Sequence, residues 1–448
     1  MAAVALQPGH RPAVLTRGWW HTPRLLRALT ALAVTTLLAA GAVTATLLGG
    51  ARTGLDAIGH REAPQAVRSA DLYFALNDMD AQVANLLLVG GDSDFTKTRT
   101  GALATYEQRR AQADADLQAA AQAATDPDGQ RAVQTVLGQL GAYEALVARA
   151  ELQEDQAAAP AGQPAPAALA DYRRATDLLR TTLLPAADAV TDANDHAVAQ
   201  SYATQRGDLQ AGRWWLLLVG ATALGALLLL QLQLTARFHR RISPPLAAAI
   251  LLAAGALLAA AALTDATATH LDTAKRSAYD SVIALSRARA VAYDMNADES
   301  RYLTDPSRAA AYEQSFRAEA KQAEDELAAE LRNVTFPGEQ QAATDELAAY
   351  RTYQADDREL RGLREAGQVR EAVAYDTGTA GGQSNGDFDR FAEAVGDTLA
   401  LNQRAFDHEL TAAEGALGVG ARIAGGLVLG SVVGLVLLAV RPRLREFR

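Results

Sequence analysis

Cysteine is absent from all 448 residues, so disulfides and thiolate metal sites are excluded and every folded part must be held by packing and polar contacts. Lysine is nearly absent: Lys97, Lys275 and Lys321 stand beside 39 Arg among the 42 basic residues. The seven His are scattered, with no pair at metalloprotease spacing, and there is no Walker loop and no Gly-x-Ser-x-Gly. These absences remove the usual signatures of catalysis and of cofactor or metal binding, and the protein is expected to be non-enzymatic with no cofactor. No segment alternates apolar and polar residues over a useful strand length. With a net charge of −10 and no contiguous basic face, nucleic acid is not an expected partner.

Four long apolar runs set the class. They occupy 25–50, 214–236, 242–264 and 422–440, each close to the ~20 residues a membrane-crossing helix needs. The first could serve as a cleaved signal peptide, with Val43-Thr44-Ala45 as a small-residue site, but it exceeds the usual length of a signal core. Trp19 and Trp20 precede it, and Trp214 and Trp215 open the second span, as interfacial aromatics do. The second and third spans are joined by a turn, 237–241, that carries Arg237, Arg240 and Arg241. The N-terminal segment 1–24 and the tail 441–448 are also basic. Positive residues stay inside, so the turn and both termini are expected in the cytoplasm of a multi-pass protein of the bacterial plasma membrane. The intervening regions are acidic, with 14 basic and 22 acidic residues in 52–213 and 16 basic and 29 acidic in 265–421.

Those two regions, 51–213 and 265–421, read as helix throughout. Leu72, Leu76, Met79, Val83 and Leu86 make a seam in the first, with Asp71, Asp78 and Asp80 off the stripe. Asp92 to Asp94 can cap a second helix, Asp126-Pro127-Asp128-Gly129 is a turn, and Val133, Leu137, Leu140, Tyr143 and Val147 mark a third. A Pro/Ala linker, 157–167, precedes a last long helix in which Pro185 is a kink or break. The second region repeats the plan, with the Gly-rich 377–386 in place of the Pro linker. Asp78-Met79-Asp80 matches Asp294-Met295-Asn296, Tyr106-Glu107-Gln108 matches Tyr312-Glu313-Gln314, and Asp195-His196 matches Asp407-His408. Three matches in order, flanked by matching spans, indicate a tandem duplication. The expected fold is an all-α membrane protein: four transmembrane helices with two extracytoplasmic antiparallel four-helix bundles.

Few residues stand out as sites. The repeated Asp78, Asp80, Asp294 and Asn296 are candidate ligand or docking positions, although a Met on a seam is more simply core filler with its polar neighbours in water. Glu299 and Tyr302 replace the seam residues Val83 and Leu86, and Glu299 is expected at the wet mouth of its bundle. Arg109-Arg110 and Arg173-Arg174 are candidate anion clusters or, more simply, solvated helix faces. His60, His270, His196 and His408 are expected as solvated positions, with pH sensing as the alternative. Gly426, Gly430 and Gly434 form a GxxxGxxxG face suited to close helix packing, which a homodimer could use. Arg237, Arg240 and Arg241 are candidate contacts for a cytoplasmic partner. No ionisable residue sits mid-span, which disfavours a pore.

In size and plan the two bundles resemble chemoreceptor-type four-helix sensor modules. As a whole the chain resembles the GlnX-type four-span membrane proteins of actinobacteria. That resemblance implies a relay: a GlnH-type solute-binding lipoprotein, loaded with an acidic amino acid, docks outside, and a cytoplasmic Ser/Thr kinase, protein kinase G, is regulated inside. The chain ends eight residues after Val440, so the expected route inward is a separate partner protein. A membrane-anchored envelope scaffold is the competing class, and a four-span permease subunit a third.

Overall fold

The computed structural model of the chain describes residues 22–124, 126–238 and 243–445. Among them there is no strand, and four helices are long and apolar enough to cross a membrane. The protein is an all-α membrane protein. In chain order the helices are α1 (Thr22–Ala57), α2 (Ala63–Val89), α3 (Thr96–Ala123), α4 (Pro127–Ala157), α5 (Pro166–Leu178) and α6 (Leu184–Phe238). There follow α7 (Pro244–Thr273), α8 (Asp280–Thr304), α9 (Ala309–Arg332), α10 (Glu339–Glu365), α11 (Val369–Asp376), α12 (Ser384–Ala416) and α13 (Val419–Arg445). Local chemistry accounts for several boundaries. Asp92 and Asp126 accept backbone N–H groups ahead of α3 and α4, and Pro127 occupies the first turn of α4, where its missing N–H costs nothing.

Three π-helical turns interrupt the long helices, at Ile58–Glu62, Leu179–Leu183 and Ala274–Tyr279. The second lies just before Pro185, which removes a backbone donor and crowds the preceding turn. The chain widens there instead of breaking, as π turns do. The first and third begin 216 residues apart, the same shift that relates Asp78-Met79-Asp80 to Asp294-Met295-Asn296. Both copies therefore carry the same local irregularity in the same register.

Two units divide the described chain. The first, drawn from residues 1–52, 206–268 and 415–448, packs Leu26, Ala33 and Leu37 of α1 with Leu227 and Leu230 of α6, Leu246 of α7 and Val432 and Val436 of α13. Leu218, Leu251, Leu258 and Leu427 on the other faces are exposed, as a lipid-facing surface requires. Close approach falls at Gly41, Gly212 and Gly220, where an added Cβ would lie within 2.5 Å of Leu429, Leu47 and Leu257. A Cβ on Gly426, Gly430 or Gly434 meets nothing within 4 Å, so the GxxxGxxxG face packs against no described part of this chain.

The second unit joins Thr53–Gln205 and Thr269–Glu414, called here the first and second halves. In the first half, α2 through α5 and the start of α6 enclose Leu72, Leu76, Met79, Leu117, Val136, Tyr143, Tyr172 and Val190. In the second, α8, α9, α10 and α12 enclose Met295, Phe316, Tyr350, Tyr353 and Phe391. A third cluster mixes the two, with Leu88 and Val89 of α2 against Leu303, Leu360 and Val373. Helices α2 and α8 thus have neighbours on every side: 20 of the 27 residues of α2 and 18 of the 25 of α8 are buried. This corrects the expectation that Asp78, Asp80 and Glu299 face water, since all three are at most 1% exposed. An amphipathic stripe assumes one wet face, and a helix at the centre of a double bundle has none.

Candidate functional site

At the seam between the halves, the polar residues of α2 and α8 meet. Asp80 of α2 accepts hydrogen bonds from Tyr143 Oη (3.2 Å), Tyr172 Oη (3.2 Å), Thr176 Oγ1 (3.1 Å) and the Arg301 guanidinium of α8. Arg301 also donates through Nε to Tyr172 Oη (3.1 Å) and through Nη1 to Asp294 (2.8 Å) and Asp298. Its side chain is 1% exposed. Burial opposes its charge, but Tyr172, Asp80, Asp294 and Asp298 overcompensate and hold the guanidinium protonated well beyond its ordinary range. Burial and the Asp80 charge likewise keep the Tyr172 hydroxyl protonated.

A second guanidinium completes the network. Arg180 of the first half, in the π turn before α6, donates to Asp294 (2.9 Å), Asp298 (3.0 Å) and Ser315 (3.3 Å), and reaches Glu319 at 3.5 Å. Burial alone would raise Asp294, yet Arg301 and Arg180 outweigh it and hold the carboxyl down at about 2. Asp298 is pushed up by burial, against both guanidiniums. Glu319 is pushed up to about 9 by burial and by Asp294 and Asp298, so it carries a proton at neutral pH. Spacings of four and three place Asp294, Asp298 and Arg301 on one face of α8. That spacing is a readable signal, but it does not repeat between the halves.

Further pairs cross the same seam. Arg173 meets Asp305 (2.6 Å), Arg308 meets Asp177 (2.9 Å), Arg289 meets Asp71 (2.6 Å), and Arg370 meets Asp92 and Asp94. Phe74 of α2 lies between the Arg109 and Arg289 guanidiniums, 4.6 and 4.1 Å from its ring centroid, and edge-on to Tyr293 of α8 at 4.8 Å. Two acidic halves are thus joined by arginines from each that reach acids of the other.

The other predicted positions do not converge. Asp78 is held by Arg109 Nε (2.6 Å) and Gln82 (2.7 Å), and burial raises its carboxyl despite Arg109. Asn296 donates to Asn385 (2.9 Å). Glu299 accepts from Tyr353 Oη (3.0 Å) and Ser384 Oγ (2.8 Å) in the core of the second half, and burial with Asp357 and Asp376 raises it well above its usual range. Of the paired arginines, Arg109 and Arg173 turn inward, while Arg110 and Arg174 take local partners, Glu107 and Asp171. His270 Nδ1 lies 2.6 Å from Glu409 and is paired, whereas His60, 3.4 Å from Glu414, keeps its side chain 61% exposed, as a solvated position does. Arg237 lies in the last turn of α6, and Arg240 and Arg241 fall outside the described residues.

Residues 54–203, the first half almost to its limits, match a family model described as an actinobacterial sensor domain. No curated protein and no solved structure matches the chain. The match supports a sensor protein of the actinobacterial kind, with a role in signal transduction, and domains of that family are in general non-catalytic.

Proposed function

We propose that the protein is a multi-pass sensor of the bacterial plasma membrane, with both termini cytoplasmic, that relays an extracytoplasmic nutrient signal to a separate cytoplasmic partner such as a Ser/Thr kinase. The observation that carries this reading is the sensor-domain match over residues 54–203. Three features agree with it. The four apolar helices suit a membrane. The basic fringes suit cytoplasmic termini. The resemblance to GlnX-type proteins favours an amino acid delivered by a solute-binding lipoprotein. An acidic helical surface suits docking of a protein better than direct capture of a free dicarboxylate, which arginine clusters favour. In the seam, the inward-turned Arg109 and Arg173 are already engaged by Asp78 and Asp305.

The mechanism follows from the seam. A binder that prefers one arrangement of α2 against α8 shifts the population toward it by its difference in affinity for the two. The density of crossing ion pairs also favours a second reading, a fixed envelope scaffold whose halves never separate. Thermal unfolding of the full-length protein in lipid nanodiscs, with an amino-acid panel and then with a loaded binding protein, distinguishes them, because a ligand of the folded state raises the midpoint by mass action. A rise with the loaded binding protein alone is expected. A rise with a free amino acid would instead make this a direct receptor, and no response to either would favour the scaffold.

A further inference from the structure

The two halves differ along one core face where their registers agree. The shift of 206 residues that takes Tyr106 to Tyr312 also takes Val133, Leu140 and Val147 of α4 to Glu339, Glu346 and Tyr353 of α10. All six are buried. The first half is sealed there by aliphatic side chains, and the second places two carboxyls two turns apart on the same face. A third, Glu330 of α9, is also buried.

The surroundings of these three glutamates supply no compensating cation. Glu339 Oε2 accepts the backbone N–H groups of Thr335 (2.6 Å) and Phe336 (2.8 Å), while its Oε1 accepts nothing. Asn402 of α12 donates to Glu330 Oε1 (3.2 Å), and its own Oδ1 has no donor. Ser281 of α8 also faces Glu330. Neither oxygen of Glu346 accepts a hydrogen bond. Glu330 and Thr398 of α12 face Glu346, and the Thr398 hydroxyl gives its proton to the Ala394 carbonyl (3.1 Å). Among the described residues, no Arg, Lys or His pairs with any of the three. Nor do any three Asp, Glu or His side chains stand where one metal ion could bind them all.

An isolated buried carboxylate neutralises rather than stay charged. A proton fits each contact here. Burial and then the neighbouring Glu339 carboxyl favour a proton on Glu330. A protonated Glu346 can donate to Thr398 Oγ1, whose own hydrogen is turned away. We propose that Glu330 and Glu346, beside Glu339, form a proton-binding site in the core of the second half, whose loss of protons loosens α12 from α9 and α10.

Burial and the neighbouring Glu330 raise Glu346 from 4.5 to about 7, and burial raises Glu330. The folded chain therefore keeps a proton that the opened chain releases. Packing is tightest in acid and weakens as pH rises through about 7, with no further loss from this group beyond it.

The test is hydrogen exchange of the full-length protein in nanodiscs at pH 6 and pH 8, corrected for intrinsic rates and with no ligand added. The opening equilibrium read by α10 and α12 peptides is expected to rise about tenfold between the two, for one group moved from 4.5 to about 7. Glu346→Gln should abolish that rise. Glu346→Leu, which restores the Leu140 chemistry of the first half, should do the same and guards against a Gln variant that folds poorly. A wild-type chain whose α10 and α12 peptides ignore pH would overturn the proposal, as would variants that lose protection equally at both pH values or keep the tenfold rise. None of these outcomes depends on the relay, which is tested with a ligand.

Discussion

Arg301 and Asp80 are 221 residues apart in sequence and form an ion pair with side chains 1% and 0% exposed. The pair belongs to both halves, and each partner is held by further groups of its own half. Removing one side leaves the other as an uncompensated buried charge, which costs more than the intact pair contributes.

Arg301→Met should therefore lower stability by about 3–5 kcal/mol, and Asp80→Asn in the same chain should recover part of the loss. Denaturant titration of the wild type, both single variants and the double variant measures the coupling. Additive single effects would show that the pair acts only through its separate neighbours.

Glu319 tests the proton balance at the seam. Its carboxyl is pushed up to about 9 by burial, Asp294 and Asp298, from 4.5 when unfolded, so folding binds a proton between those values. Its contribution to stability falls as pH rises from about 4.5 to 9. Asp376, pushed up to about 7 by burial and then by Asp357, acts in the same direction over a lower window. Glu319→Gln should leave the thermal midpoint unchanged below pH 4.5 and raise it relative to wild type at pH 8. A midpoint difference that does not vary with pH would contradict this account.

Gly162 lies where the first half closely approaches the second at α11. Its φ of +75° suits glycine, its N–H donates to the Leu88 carbonyl at 2.7 Å, and an added Cβ would lie 2.6 Å from Val369 of α11. Gly162→Ala should cost about 1–3 kcal/mol from the left-handed backbone and the displaced valine. Proteolysis near 158–165 should accelerate in parallel.

The membrane unit makes a contrasting pair of expectations. At Gly220 an added Cβ would come within 2.5 Å of Leu257, so Gly220→Val should destabilise by about 1–3 kcal/mol. Gly430→Val meets open space and should leave the monomer's thermal midpoint nearly unchanged. A loss at Gly430 as large as that at Gly220, disappearing on dilution into detergent, would mark the face as a contact between copies.

Much of the architecture is set by short-range chemistry that can be read along the chain. Twenty-odd uncharged apolar residues cannot stay in water, so the four spans follow from their length. Turn and cap residues such as Asp92 and Asp126-Pro127 place helix starts, because the orphan N–H groups there need acceptors. Repeated segments betray the duplication, since copies keep seam residues where they keep packing. Asp80 and Asp294 were visible for that reason, as members of a repeated motif.

What the chain order does not carry is which helix becomes the neighbour of which. Asp78 and Asp80 have the spacing of wet positions and are buried because α2 lies inside the double bundle. Glu299 instead stands on a seam position and is buried against Tyr353 and Ser384 of its own half. Arg301, Arg180, Tyr172 and Thr176 do not repeat between the halves, and each becomes part of one network only when the halves meet. Composition and periodicity determined the helices, the spans and the acidic character of both halves. The tertiary structure alone decided which charges are paired and which must hold a proton, because charge energetics depend on burial and on the nearest opposite charge, and both are set by packing.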